Sequence, residues 1–332
     1  MRLPRRASSN FCQRPHGWRL RLALLALWAA GLGAAGRKYQ LDGRIIPESK
    51  ASVSLFGSTT PFHAATLAGA EGRFHFRGLL PGEYTVAAFI PGHGEMRRTV
   101  EVGPGTADAK GRVAITIHLE DSRAVSAGAL HQTATVSARE LSIPKGARRE
   151  YAEAQKNLGR REIDAAVSHL KKAIEIAPQF SAAWNNLGTI SYQTHKYAQA
   201  ESYFRKGLDA EPGSFEPLVN LGGALLTEGK LDEALQYNRD ATLSRPNDAL
   251  ANSQLGLNYF LIGNLDLGQK YLEIAKRIDP AHFSYPQLTL AQIHLRRNEP
   301  EKAAEELHDF LKRHPDAPEG VRVRAELAKI EK

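Results

Sequence analysis

The sequence predicts a multidomain fold: a small all-β sandwich followed by an all-α superhelix of stacked helix–turn–helix units. Two observations carry this. Between residues 38 and 120, apolar side chains alternate with polar ones, the period of a half-buried strand. From residue 144 onward, prolines recur at Pro178, Pro212, Pro246, Pro280 and Pro315, spaced by 34, 34, 34 and 35 residues. A fixed spacing of this size marks a repeat architecture.

The composition agrees. The chain has 332 residues, 42% hydrophobic and 24% charged. Those values exclude a disordered chain, a collagen and a multispan membrane protein. The single cysteine, Cys12, excludes a disulfide framework and a cysteine-based zinc site. A net charge of +8 invites a nucleic-acid reading, but the first 35 residues hold six arginines and no acid. Without them the balance is 38 basic to 36 acidic residues, and no basic stripe with interleaved aromatics remains. Nucleic-acid binding is not expected.

The N-terminus reads as an export signal. Arginines run up to Arg21, followed by an apolar stretch from Leu22 to Gly36. Small residues at Gly33 and Ala35 suit a signal peptidase, which places cleavage after Ala35 or Gly36. The stretch is shorter than the ~20 residues a spanning helix needs. A signal peptide over 1–35 is expected, with an uncleaved anchor as the alternative, and the mature chain is read as periplasmic or cell-surface without a transmembrane span.

Along 38–120, Tyr39 and Leu41, Val53 and Leu55, Phe74 and Phe76, Tyr84, Val86 and Ala88, Val100 and Val102, and Val113 to Leu119 alternate with polar neighbours. Turn signals at Pro47, Gly57 to Pro61, Gly69 to Gly72, Pro81-Gly82, Pro91-Gly92 and Gly103 to Gly105 separate them. About seven short strands are expected. Within them, Gly72, Phe74, Phe76, Leu80, Pro81, Gly82, Tyr84 and Val86 follow one another in a recognisable order. On these residues the segment resembles the carboxypeptidase-regulatory-like (transthyretin-like) sandwich. Related folds sometimes bind glycans on exposed aromatics, which gives an alternative function: a carbohydrate-binding envelope protein. The in-phase alternation of Phe74, Phe76 and Tyr84 instead predicts core packing. No His-x-x-Glu occurs in the chain, and His63, His75, His93 and His118 are scattered, so no zinc site is expected. Residues 121–143 read as a linker with a strand-prone stretch near 131–137.

In the second half, each proline follows the same pattern of small and apolar residues. The clearest unit carries Trp184, Leu187, Gly188, Ala200, Phe204 and Pro212. Others carry Leu221, Gly222, Ala234 and Pro246, then Leu255, Gly256, Tyr259 and Pro280. Weaker units carry Ala154, Leu158, Ala166 and Pro178, and Leu290, Ala291, Ala303 and Pro315. On these residues the half resembles the tetratricopeptide repeat (TPR), with units at 144–178, 181–212, 215–246, 249–280 and 284–315 and a cap helix over 316–332. Asn238, Gly268 and Pro300 depart from the pattern. The close approach of paired helices requires the small residues, and proline ends each second helix. One unit cannot bury both its faces, so neighbours must stack.

The resemblance implies a protein or peptide partner in a concave groove lined by the first helix of each repeat. The groove-facing register gives Tyr151, Gln155, Asn185, Thr189, Tyr192, Glu216, Val219, Asn220, Ser253, Leu257, Phe260 and Tyr285. The basic clamp that some such proteins use for acidic C-terminal tails is missing, and Glu216 stands where it would want a base. No Gly-rich phosphate loop, G-x-S-x-G or H-E-x-x-H occurs. The expectation is a non-catalytic scaffold without cofactor or metal.

Overall fold

The computed structural model describes residues 37–118 and 142–331. The expected signal segment and the 121–143 linker, apart from Ser142 and Ile143, lie outside these residues. The described residues from Lys38 onward belong to one compact unit.

Among the described residues, seven strands make a two-sheet sandwich: β1 (Tyr39–Ile46), β2 (Ser52–Gly57), β3 (His63–Leu67), β4 (Arg73–Leu79), β5 (Gly82–Ile90), β6 (Gly94–Val102) and β7 (Arg112–His118). One sheet has the order β4-β1-β7, the other β3-β2-β5-β6. Alternation on both inner faces sends Leu41, Ile45, Val53, Leu55, Phe74, Phe76, Tyr84, Val86, Val102 and Ile117 into one core. Gly43 is required there. It sits opposite Phe74 in the β1–β4 register, and a Cβ on it would fall 2.0 Å from the Phe74 ring.

Eleven helices follow among the described residues: α1 (Lys145–Gly159), α2 (Ile163–Ile176), α3 (Ser181–Gln193), α4 (Tyr197–Ala210), α5 (Phe215–Thr227), α6 (Leu231–Ser244), α7 (Ala249–Leu261), α8 (Leu265–Ile278), α9 (Pro286–Arg296), α10 (Pro300–Arg313) and α11 (Gly320–Ile330). They pair as A and B helices of five repeats, with α11 last. Each B helix packs on the A helix before it and the one after, and the A helices of repeats two to five touch in succession.

The close approach within each pair is visible in the glycines. A Cβ on Gly188 would meet the Phe204 ring at 2.4 Å, one on Gly222 would meet Asn238 Oδ1 at 2.0 Å, and one on Gly256 would meet Leu272 Cγ at 2.7 Å. Phe204, Asn238 and Leu272 occupy the same position of successive B helices. Asn238, which departs from the usual aromatic, is fully buried, and its amide donates to Asn258 Oδ1 at 3.1 Å. Pro300 is the first residue of α10, where its missing N–H has no intrahelical role. Every A–B turn needs one residue with positive φ: Arg161, His195, Gly229, Gly263 and Asn298, at 58° to 89°. Among the described residues no helix is long and apolar enough to cross a membrane.

Candidate partner-binding face

The site residues arise from a rule of local geometry. The residue before a proline is driven out of the helical region by the proline ring. Ala177, Glu211, Arg245, Asp279 and His314 each precede a repeat proline, and their φ values run from −126° to −142°. This turns their side chains away from the end of the B helix. Two of these residues meet the sandwich directly, Asp279 at Thr99 and His314 beside Glu83, and Arg245 reaches it through Glu216.

The sandwich lies against the repeats along their whole length. At the first repeat, Arg161 donates to the Tyr84 hydroxyl at 3.0 Å, and its guanidinium sits 4.9 Å above the Phe62 ring. In the second, Gln193 donates to the carbonyls of Gly57 and Ser58 at 2.9 and 3.2 Å. In the third, Glu216 accepts from Arg97 of β6 and from Arg245, both at 3.1 Å. Asp279 accepts the backbone N–H of Thr99 at 2.8 Å. Beyond α10, Asp316 accepts the backbone N–H of Gly105 at 2.8–2.9 Å and donates its own N–H to Glu101.

Two of these bonds satisfy backbone amides on or just beyond β6, the edge strand of its sheet. Repeat carboxylates cap groups that would otherwise be open to another chain. The outer face of the same sheet is covered too. Glu83 of β5 and Thr99 and Glu101 of β6 point away from the sandwich core, yet each is no more than 7% exposed.

Burial sets the electrostatics of this face. It raises the Glu83 carboxyl, with His314 opposing, raises Glu101 to about 7, and raises Asp279 against the bonds from Thr99. It pushes His282 down to about 3. Glu216 differs. Burial would raise it, but Arg245 and Arg97 outweigh that and hold it low. The network is incompletely paired: Glu83 Oε1, Glu319 Oε2 and both ring nitrogens of His314 are buried without a hydrogen-bond partner among the described residues. His314 Nδ1 stands 3.5 Å from Glu83 Oε1, too long for a good hydrogen bond.

Of the twelve groove residues expected from sequence, Glu216 and Tyr285 face the sandwich. Tyr285 neighbours Glu83, whose charge adds to burial in raising the Tyr285 hydroxyl, and holds a left-handed backbone at φ 51°. Several others are tied to the next A helix. Asn186 donates to the Tyr151 hydroxyl at 3.0 Å, Asn220 donates to Asn185 at 2.9 Å, and Tyr192 and Thr227 share a bond of 2.9 Å. Thr189 donates to the Asn185 carbonyl, and Ser253 bonds Ser284. Val219 and Phe260 are buried in apolar clusters, with Leu257 packed beside Phe260. Gln155 is half-buried on α1. Phe74, Phe76 and Tyr84 lie in the sandwich core. The exposed aromatics of the sandwich are Phe56 and Phe89, at 40% and 39%.

Sequence reasoning missed Arg97, Glu83, Glu101, Asp279, His314 and Asp316. The signal for two of them, Asp279 and His314, was the proline period itself, read one residue upstream. Among the described residues no group of three or more His, Cys, Asp or Glu side chains is arranged to hold a metal ion.

Three matches to models of the tetratricopeptide repeat cover residues 151–215, 191–255 and 286–327. The human cell division cycle protein 16 homolog is 28% identical over 113 residues, covering 31% of this chain and 18% of that protein. Anaphase-promoting complex subunit 6 of Arabidopsis thaliana is 27% identical over 121 residues, covering 36% and 22%. The chain thus spans about a fifth of the length of these curated relatives. Among solved structures, the type IV pilus biogenesis factor PilW aligns with a TM-score of 0.51 at 18% identity, covering 56% of this chain and 86% of that one. The helical half of the chain is an array of tetratricopeptide repeats.

Proposed function

We propose that the protein is an exported, non-catalytic scaffold whose A-helix face holds a protein partner, with the carboxypeptidase-regulatory-like sandwich as a docking module on that face. The observation that carries the reading is that the repeats already engage folded protein: Glu216 on an A helix, with Asp279 and Asp316 just beyond B helices, binds a side chain and backbone amides of the sandwich. Repeat arrays of this kind present extended surfaces built from successive units. The curated relatives named above include a subunit of a multiprotein complex, which fits a scaffold. The remaining groove residues, Gln155, Asn185, Thr189, Tyr192 and Asn220 foremost, are the positions where a partner is expected to compete with bonds between neighbouring A helices.

The test is affinity capture from envelope extract with the full chain and a Gln155→Ala/Tyr192→Ala variant of matched thermal midpoint. One protein enriched by the wild type and lost on the variant supports the reading. Equal capture by both refutes this groove assignment. Export is tested by the intact mass of the mature protein, expected to begin at Gly36 or Arg37. The glycan alternative would fall on Phe56 and Phe89, the exposed sandwich aromatics. It predicts polysaccharide binding lost in Phe56→Ala/Phe89→Ala.

A further inference from the structure

Glu83 and Glu101 are direct cross-strand partners in the β5–β6 register, and both project from the same outer face of the sheet. Like charges at such a position repel even on an open surface. Here they are 6% and 7% exposed, so water screens them little.

What faces them from the repeats is mostly acidic. Asp279 ends α8, Asp316 follows α10, and Glu319 precedes α11. Glu319 and Asp316 act on the pair as like charges. The neighbouring groups able to carry positive charge are His314 and, toward Asp279, Arg98. Arg97 is taken up by Glu95 and Glu216 at the other end of β6. His282 is buried and bonded to Ser284, and Tyr285 neighbours Glu83. Glu83 Oε1, Glu319 Oε2 and both His314 nitrogens have no hydrogen-bond partner among the described residues. A buried carboxylate pair in such surroundings is costly when both members are ionised.

We propose that the contact between the sandwich and the last repeat is a proton-operated latch, closed while the opposed pair Glu83/Glu101 holds a proton and loosened when both carboxylates ionise. The proton removes one charge from the pair and supplies an O–H donor that an ionised carboxylate lacks. Loss of that proton leaves two opposed charges against Asp316 and Glu319, and separation of the sandwich from the repeats restores water to all four. The Glu101 carboxyl, raised to about 7, places the change near neutral pH, and burial raises Glu83 in the same direction. The latch stands on contacts between the two halves of the chain and is independent of what the A-helix face binds.

The amides of Thr99 and Gly105, bonded to Asp279 and Asp316, report the closed state. Hydrogen exchange of the full chain is measured at pH 6 and pH 8.5, corrected for the intrinsic pH dependence of amide exchange. Protection over residues 97–105 is expected to fall at least tenfold at pH 8.5, while β1 and α7 hold. Glu83→Gln/Glu101→Gln is expected to keep protection at pH 8.5. Glu101→Gln alone, the milder change, removes the opposed charge and is expected to keep protection at pH 8.5 as well. Equal protection of the wild type at both pH values, or a loss in the Gln variants as large as in wild type, would overturn the latch.

Discussion

His195 holds a left-handed backbone at φ 61°, at the turn position where repeats three and four carry Gly229 and Gly263. A non-glycine residue there costs about 1–2 kcal/mol, against about 0.5–1 kcal/mol for the extra freedom that glycine brings to the unfolded chain. His195→Gly is therefore expected to stabilise the protein by up to about 1 kcal/mol, measured by chemical denaturation. Two helical glycines separate in the opposite sense. A Cβ on Gly256 would press on the backbone of Leu272 and Gly268 at 2.9–3.0 Å, and neither can yield without moving a helix. Gly256→Ala is expected to destabilise by about 1–3 kcal/mol. At Gly223 the obstacle is the end of the flexible Gln254 side chain. Gly223→Ala is expected to be neutral, or stabilising by up to about 1 kcal/mol through helix propensity. The opposite result at both sites would contradict the packing described.

At the scale of elements, the helices were legible because each repeat writes the same requirements again: a small residue where helices cross, a proline two residues past the B helix. The strands were less so. Tyr39 to Ile46, Ser52 to Gly57 and Arg112 to His118 alternate cleanly because one face meets the core and the other meets water. β3 carries His-Ala-Ala-Thr-Leu with no fully buried side chain, so no apolar period marks it. β6 extends back to Gly94, well before the Val100 and Val102 that announce it. Its outward residues Arg97, Thr99 and Glu101 look solvent-facing in sequence, yet they are the docking surface. A polar face buried against another polar face leaves no hydrophobic pattern to read. The same reason hid the partnership of Glu216, whose carboxylate joins β6 to the end of α6. Glu216→Ala removes the acceptor of two arginines, Arg97 and Arg245. Both are about a third exposed, so the loss is expected to be about 1 kcal/mol. It should appear as faster exchange at 97–105 with the α7 amides unchanged.

For the whole molecule, two domains that the sequence places side by side in the chain prove to share one buried polar surface. That surface makes stability depend on pH. Glu101, when docked, has its carboxyl raised to about 7 from an ordinary value near 4.5. Between those values the native chain holds a proton that the unfolded chain has lost, so stability falls as pH rises. Below both values, and above both, the group contributes no slope. The thermal midpoint is expected to fall between pH 5 and pH 8, and Glu101→Gln is expected to flatten that decline. A midpoint that rises over this range in the wild type would contradict the assignment.

The sandwich rests on the repeats, and a single cross-link tests that contact. A Cβ built on Gly103 would lie 3.3 Å from the Asp316 Cβ, close to disulfide geometry. The full chain carrying Cys12→Ser, Gly103→Cys and Asp316→Cys is oxidised under mild conditions, and its free thiols are counted by mass. The docked arrangement predicts one intramolecular disulfide in nearly every molecule, formed at any protein concentration. Two free thiols, or cross-links only between molecules, would contradict it.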